Sequence, residues 1–273
     1  MLASADRVLV LTGAGISAES GVPTFRGAQG LWNDLRPEEL ATPEAFRRDP
    51  RQVWEWYGWR RELVAACRPN PGHTALASWL DERASGACLA TQNVDGLHTR
   101  AAEDLGAVAD AGPDEWASEV SGTIPDTQRD HTGHRTILEL HGSLFRARCT
   151  RCGWEGPHRD LVNAASRDTL PACRHCKGLL RPAVVWYGEM LPPRVVAAAF
   201  QWARSADAAL VVGTSALVHP AASLPLETLY RGGTIVEVNV EPTELTDRAA
   251  VSLRGPAGTV LPLLLGMGET PRV

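Results

Sequence analysis

Two Cys-x-x-Cys knuckles, Cys149/Cys152 and Cys173/Cys176, with twenty residues between them, constrain this chain more than any other feature. Each knuckle presents two thiolates from one tight turn, and two such turns close a tetrahedral sulfur cage around Zn2+. The 273-residue chain holds only six cysteines, so four of them at these offsets point to a built site. A redox pair needs one such motif, not two. Four thiolates leave no open coordination position, so the zinc is expected to hold structure. The chemistry must then lie elsewhere, and His141, eight residues before the first knuckle, becomes a candidate for it.

Apolar runs alternate with helix-like segments along the rest of the chain. Residues 7–11, 87–91, 137–140, 183–187, 208–212 and 234–238 read as strands. Residues 42–66 read as helical, with Phe46, Val53, Trp56 and Leu63 in an apolar stripe, and 73–83 read as a second helix. Such alternation predicts an α/β fold on a parallel sheet. Several polar motifs sit just after the carboxyl end of a strand, where open α/β sheets bind ligands. The knuckles interrupt the alternation, so residues 146–182 read as a small inserted module.

A net charge of −5 argues against a general nucleic-acid grip, which needs a basic face. No apolar run approaches the roughly 20 residues of a membrane helix. Cys67 and Cys88 sit among apolar or small residues and are expected to be free, buried thiols. Reduced thiols beside a zinc site suit a cytoplasmic protein.

Gly13-Ala14-Gly15-Ile16-Ser17-Ala18 follows the first strand and opens a short helix, Ser17 to Ser20, that Gly21-Val22-Pro23 stops. The loop fits the loose G-x-G-x-x-G/A form, a weak signal alone. A dehydrogenase would add a second strand ending in an acid. Asp34 has the spacing, but Gly27, Gly30 and Trp32 precede it without a strand. A dinucleotide site with different ribose recognition follows. Phe25 and Arg26 then have two readings: a shield over a reactive sugar, or a core phenylalanine beside a surface arginine.

Taken together, residues 13–27, Thr91-Gln92-Asn93-Val94-Asp95-Gly96-Leu97-His98, His141-Gly142, the two knuckles, Val184–Glu189, Gly213-Thr214-Ser215 and Asn239 resemble the sirtuin family of NAD-dependent protein-lysine deacylases. These motifs run in family order from residue 8 to about 265, and Thr24 resembles the class III branch. The resemblance implies a Rossmann-type large domain (1–41, 70–145 and 183–273), a helical segment of a small domain (42–69), and a zinc module (146–182). It implies that His141 is the general base on a ribose hydroxyl, a role an imidazole suits because it titrates near neutral pH.

By the same resemblance, Gly13, Ala14 and Gly15 approach the diphosphate of NAD through backbone N–H groups, with Ser17, Ala18, Glu19, Pro23, Thr24 and Trp32 around it. Phe25 and Arg26 cover the nicotinamide ribose. Gln92, Asn93 and Asp95 bind the ribose and the nicotinamide amide. Gly213, Thr214, Ser215, Asn239 and Glu241 hold the adenosine half, with Ala257 near adenine. Val185, Trp186, Tyr187, Gly188 and Glu189 pair with the backbone of an acylated peptide as an added strand.

Tyr57-Gly58-Trp59-Arg60 places a phenol and a guanidinium three residues apart, on one helix face. Arg binds a carboxylate through two parallel hydrogen bonds, and a tyrosine hydroxyl adds a third. The pair resembles the class III feature that selects succinyl- and malonyl-lysine. The plain reading is a tyrosine packed on the core beside a solvated arginine.

Residues 103–135 intervene where the family has a short loop, about 30 more than expected for a connection of this kind. They suggest a surface insertion, or a lid or docking loop for a protein partner. The competing activity is ADP-ribosyl transfer or NAD hydrolysis in the same pocket.

Overall fold

The strands, in the computed structural model, are β1 Val8–Thr12, β2 Ala87–Thr91, β3 Ile137–Glu139, β4 Gly142–Cys149, β5 Glu155–Pro157, β6 Leu180–Val184, β7 Ala208–Val212, β8 Thr234–Asn239 and β9 Val251–Arg254. Residues 1–23, 37–83, 86–106 and 137–267 are described. The helices are α1 Pro37–Leu40, α2 Pro43–Arg48, α3 Pro50–Ala66, α4 Pro71–Glu82, α5 Leu97–Asp104, α6 Pro193–Ser205, α7 Ser223–Tyr230 and α8 Ala257–Leu264.

Six strands form one sheet in the order β3-β2-β1-β7-β8-β9, and every adjacent pair is parallel. Every residue of β1, β2 and β7 is buried, as expected of a parallel sheet covered on both faces. One face carries Val8, Val10, Leu76, Trp79, Leu210 and Val236. The other carries Leu9, Leu11, Ala90, Leu140 and Leu224. Counted within this sheet alone, the order is 3-2-1-4-5-6, the Rossmann arrangement. It reverses between β1 and β7, the place where sheets of this kind bind ligands at their carboxyl ends.

The remaining strands make a separate antiparallel sheet, β5-β4-β6. Its core is shared with the helical segment: Trp54, Trp56 and Tyr57 of α3 pack with Leu144, Ala147, Cys173, Leu180 and Trp186 in one buried cluster. Trp54 Nε1 donates to the Leu180 carbonyl at 3.0 Å, and Arg61 Nε to that of Leu144 at 2.5 Å, tying α3 to β6 and β4.

Several local expectations shift. The single helix over 42–66 is two, because Asp49 caps a new start by accepting from the N–H groups of Arg51 and Gln52, with Pro50 in the first turn. Leu63 of the apolar stripe is exposed, and Val64 is buried in its stead. The helix over 73–83 begins earlier, at Pro71, because Asn70 and His73 form a reciprocal cap. The short helix at the glycine loop is a 3-10 helix, Ala14–Ser20. The strand over 183–187 is displaced to 180–184 and belongs to the small sheet. Cys88 is buried and Cys67 only partly so. Among the described residues no helix is long and apolar enough to cross a membrane.

Candidate active site

The turns after β1 and β7 meet at the reversal of strand order. Gly13 N–H donates to the Val212 carbonyl at 3.0 Å and Gly15 N–H to that of Gly213 at 2.8 Å. A Cβ at Gly13 would lie 2.6 Å from Thr214 Cβ, and one at Gly15 would lie 2.7 Å from Gly213 Cα. These glycines are required by the approach of two backbones. That corrects one expectation: the N–H groups of Gly13 and Gly15 are turned into the fold and not toward a diphosphate. Ala14 N–H has no acceptor among the described residues, so it is the loop donor left for an anion.

Behind this loop lies a buried polar set. Asn93 Nδ2 donates to the Gly13 carbonyl and to Ser17 Oγ, both at 3.1 Å. Ser17 Oγ donates to Asp95 Oδ2 at 2.8 Å, and Leu97 N–H to Asp95 Oδ1 at 2.9 Å. Burial pushes the Asp95 carboxyl above its ordinary pKa, and those two hydrogen bonds oppose the shift. Gln92 Nε2 donates to Thr214 Oγ1 at 2.8 Å, joining the strand-end turns of β2 and β7. Asn239 Nδ2 donates to the Thr214 carbonyl at 2.9 Å, adding the end of β8.

His141 stands between β3 and β4, and its Nδ1 lies 2.9 Å from the Gln92 carbonyl oxygen. A carbonyl only accepts, so Nδ1 carries the proton and Nε2 keeps a lone pair. Burial lowers the imidazole pKa, with the Gln92 bond working against it. The ring is therefore neutral at pH 7 and able to take a proton at Nε2.

The outer candidates are more scattered. Ala18 and Glu19 are exposed. Glu19 Oε2 accepts from Gly258 N–H at 2.6 Å, which sets it beside Ala257 at the start of α8. Glu241 is exposed, and its carbonyl accepts from Arg254 Nη1 at 2.7 Å. Pro23 is partly buried at the end of a described stretch. Thr24, Phe25, Arg26 and Trp32 lie outside the described residues, as does most of the 103–135 segment.

Tyr57 is buried, and its Oη accepts from Trp186 Nε1 at 2.9 Å. Burial raises the phenol to about 12. Burial lowers the pKa of Arg60, and the neighbouring Tyr57, Tyr187 and Asp95 partly offset that shift. Arg60 is thus within electrostatic reach of the phenol and of the strand-end carboxylate together. The expectation that 185–189 pairs with a peptide narrows. Val185 N–H donates to the His141 carbonyl and Tyr187 N–H to that of Ala41, both at 2.9 Å. Trp186 N–H goes to Glu189 Oε2 at 2.9 Å and Glu189 N–H to the Trp186 carbonyl at 3.0 Å. Of the N–H groups of 185–189, that of Gly188 has no acceptor among the described residues.

The four knuckle sulfurs all lie within 4.8 Å of one another, with Cys149–Cys176 at 3.5 Å and Cys152–Cys173 at 3.7 Å. A tetrahedral Zn–S4 centre with bonds of about 2.3 Å needs sulfurs roughly 3.8 Å apart. Backbone N–H groups of Arg151, Cys152 and Gly178 point at the sulfurs at 3.3–3.4 Å, a setting suited to thiolates. Each knuckle closes through a left-handed residue, Gly153 at φ 75° and Lys177 at φ 61°. The donor set fits structural zinc.

A second buried set was not expected from the sequence. His98 Nε2 lies 2.9 Å from Thr12 Oγ1, which donates to Thr91 Oγ1 at 2.8 Å. His73 Nε2 lies 3.4 Å from Ser17 Oγ, and the two imidazole rings are 4.8 Å apart. The available signal was two threonines closing otherwise apolar strands, since a buried hydroxyl needs a partner.

The Sir2 family model matches residues 13–111 and 124–220. Residues 112–123 are left unmatched, a shorter stretch than the insertion expected from the sequence. The chain is similar to NAD-dependent protein deacylase 2 of Pyrobaculum aerophilum, 46% identical over 265 residues, covering 97% of this chain and 92% of that protein. It is similar in structure to a substituted Sir2 homologue bound to 2′-O-acetyl ADP-ribose, with a TM-score of 0.79, 46% identity, and 98% and 93% of the two chains covered. A Sir2 homologue in complex with NAD gives a TM-score of 0.79 at 45% identity, over 97% of this chain and 90% of that one.

Proposed function

The chain belongs to the Sir2 family, and from that premise we propose how it works as an NAD-dependent protein-lysine deacylase and which acyl groups it favours. The observation that carries the mechanism is the His141–Gln92 hydrogen bond, which leaves Nε2 of a neutral imidazole as a proton acceptor at the strand ends. NAD, when bound, supplies a ribose carbon that loses nicotinamide and receives the acyl oxygen. His141 Nε2 takes the proton of a ribose hydroxyl, which raises that oxygen's nucleophilicity toward the acyl carbon. Asn93 and Asp95, fixed by Ser17 and Leu97, orient the nicotinamide half. Ala14 N–H meets the diphosphate, and Ser215, Asn239 and Glu241 hold the adenosine half. One water is consumed, replacing the oxygen the acyl group gave to the ribose carbon and releasing the amine, so the products are nicotinamide, acyl-ADP-ribose and free lysine.

The preferred acyl groups carry a carboxylate, as succinyl and malonyl do. Support comes from Tyr57 and Arg60, three residues apart on α3, with a charged guanidinium within electrostatic reach of the buried phenol. The test is kcat/KM for matched succinyl- and acetyl-lysine peptides with the wild type and Arg60→Met. Leaving a carboxylate unpaired in a pocket costs about 2–5 kcal/mol, so succinyl turnover should fall at least about 30-fold more than acetyl turnover. Equal losses on the two peptides would refute the preference.

The same proposal divides the chain into the Rossmann-type unit and a smaller unit of 42–69 and 146–182, supported by the separate six- and three-stranded sheets; β4 begins at Gly142 and β6 ends at Val184, so the small sheet runs past both ends of 146–182. It also places the enzyme in the cytoplasm and a protein partner at 103–135. Protection of that segment from limited proteolysis by a captured partner tests the last point.

A further inference from the structure

The Tyr57 hydroxyl has one proton and one in-plane lone pair, and the surroundings settle how the lone pair is used. Trp186 Nε1 lies 2.9 Å from Tyr57 Oη. An indole nitrogen donates and never accepts. Tyr57 is the acceptor of this bond, and its own proton must go elsewhere. Tyr57 is 1% exposed, and no acceptor among the described residues takes that proton. A buried donor without an acceptor is costly and rare in native proteins. Beside Arg60, such a donor marks a position where an acceptor arrives with a ligand.

The indole cannot turn away. The Arg181 guanidinium carbon stacks 3.4 Å from the centroid of the Trp186 ring, and Phe46 packs on the ring with centroids 5.4 Å apart. Arg181 forks onto the two oxygens of Glu189 at 2.5 and 2.9 Å, and Glu189 Oε2 also accepts from Trp186 N–H at 2.9 Å. The side chain of Trp186 is 2% exposed and faces the core, although its backbone lies in the segment assigned to the peptide.

We propose that Trp186 is a specificity-determining positioning residue: by occupying the lone pair of Tyr57, it commits the Tyr57 proton to donation toward the acyl group. The pocket then selects acyl chains that end in an acceptor. This inference rests on the Tyr57/Arg60 reading above and adds the residue that sets the polarity of that pocket.

A double-mutant cycle tests it. The ratio of kcat/KM for succinyl- over acetyl-lysine peptide is measured for the wild type, Tyr57→Phe, Trp186→Phe and the double variant. Each single substitution should lower the ratio about ten-fold, the size of one hydrogen bond to a charged group, and the double variant should fall no further. If Trp186→Phe lowers the ratio equally in the wild-type and Tyr57→Phe backgrounds, Trp186 does not act through the hydroxyl and the inference fails. If Arg60→Met lowers the ratio but Tyr57→Phe does not, the inference fails and the arginine reading stands. If neither lowers it, the carboxylate reading itself fails. Should Trp186→Phe not fold, 15N-indole labelling replaces it. The Trp186 Nε1–H signal should exchange slowly in the wild type and lose protection in Tyr57→Phe; an unchanged signal would overturn the inference.

Discussion

His141 donates its Nδ1 proton to the carbonyl oxygen of Gln92 at 2.9 Å, and Gln92 in turn reaches Thr214 at the turn after β7. One backbone oxygen thus fixes the tautomer of the imidazole and ties it to the strand-end turns. As the proposed general base, His141 acts when neutral. Burial holds its pKa below the ordinary value of about 6.5. Activity should therefore hold steady above pH 6.5 and fall only as the pH drops further, when Nε2 becomes protonated. The pH profile of kcat/KM checks this, and an acid limb centred above pH 7 would count against it.

His98 and His73 give a second pH dependence, one of stability. Burial lowers the pKa of His98 well below its ordinary value and that of His73 to about 4. Both rings are neutral in the fold, whereas the unfolded chain protonates them near pH 6.5. The unfolded state binds more protons below that pH, so stability is lost as pH falls. His98→Gln keeps a polar partner for Thr12 without titrating. Urea unfolding at pH 7.5, 6.5 and 5.5 should show the wild type losing up to about 1.4 kcal/mol per pH unit relative to this variant below pH 6.5. A constant difference would contradict the assignment.

The zinc cage joins the two knuckles across the small sheet, and its core is shared with α3. Cys149→Ser should leave less than one zinc per chain. The melting temperature should drop by several degrees, since each kcal/mol is worth roughly 2–4 °C in a protein of this size. Deacylation should fall with it, because Tyr57 and Trp186 lie in the same core. Full zinc content in that variant would argue against the four-sulfur site.

Strands β1, β2 and β7 at the centre of the Rossmann sheet were legible because fully buried parallel strands are continuous apolar runs. β2 and β7 span the residues read from the sequence, and β1 differs by a shift of one residue. The run at 183–187 misled for a physical reason. Its apolar residues reflect the burial of Trp186 in the small-unit core, while the N–H groups of Val185 and Tyr187 leave the ladder for the carbonyls of His141 and Ala41. β9 escaped notice because it is four residues long and half-buried. In the site, the polar motifs at strand ends were readable as a set. The use of Gly13 and Gly15 was not, since only the fold shows that their N–H groups face Val212 and Gly213. His73 and His98 lie on α4 and α5, far apart in sequence, and only the packing of those helices brings their rings together.

The most direct measurement is mass spectrometry of the products from acylated-lysine peptide and NAD, with the wild type beside His141→Ala. Acyl-ADP-ribose and free lysine peptide from the wild type, with acyl-ADP-ribose reduced at least about 100-fold in the variant, is the predicted result for loss of a general base. Free ADP-ribose with the peptide still acylated, or equal acyl-ADP-ribose from the two proteins, would contradict deacylation driven by His141.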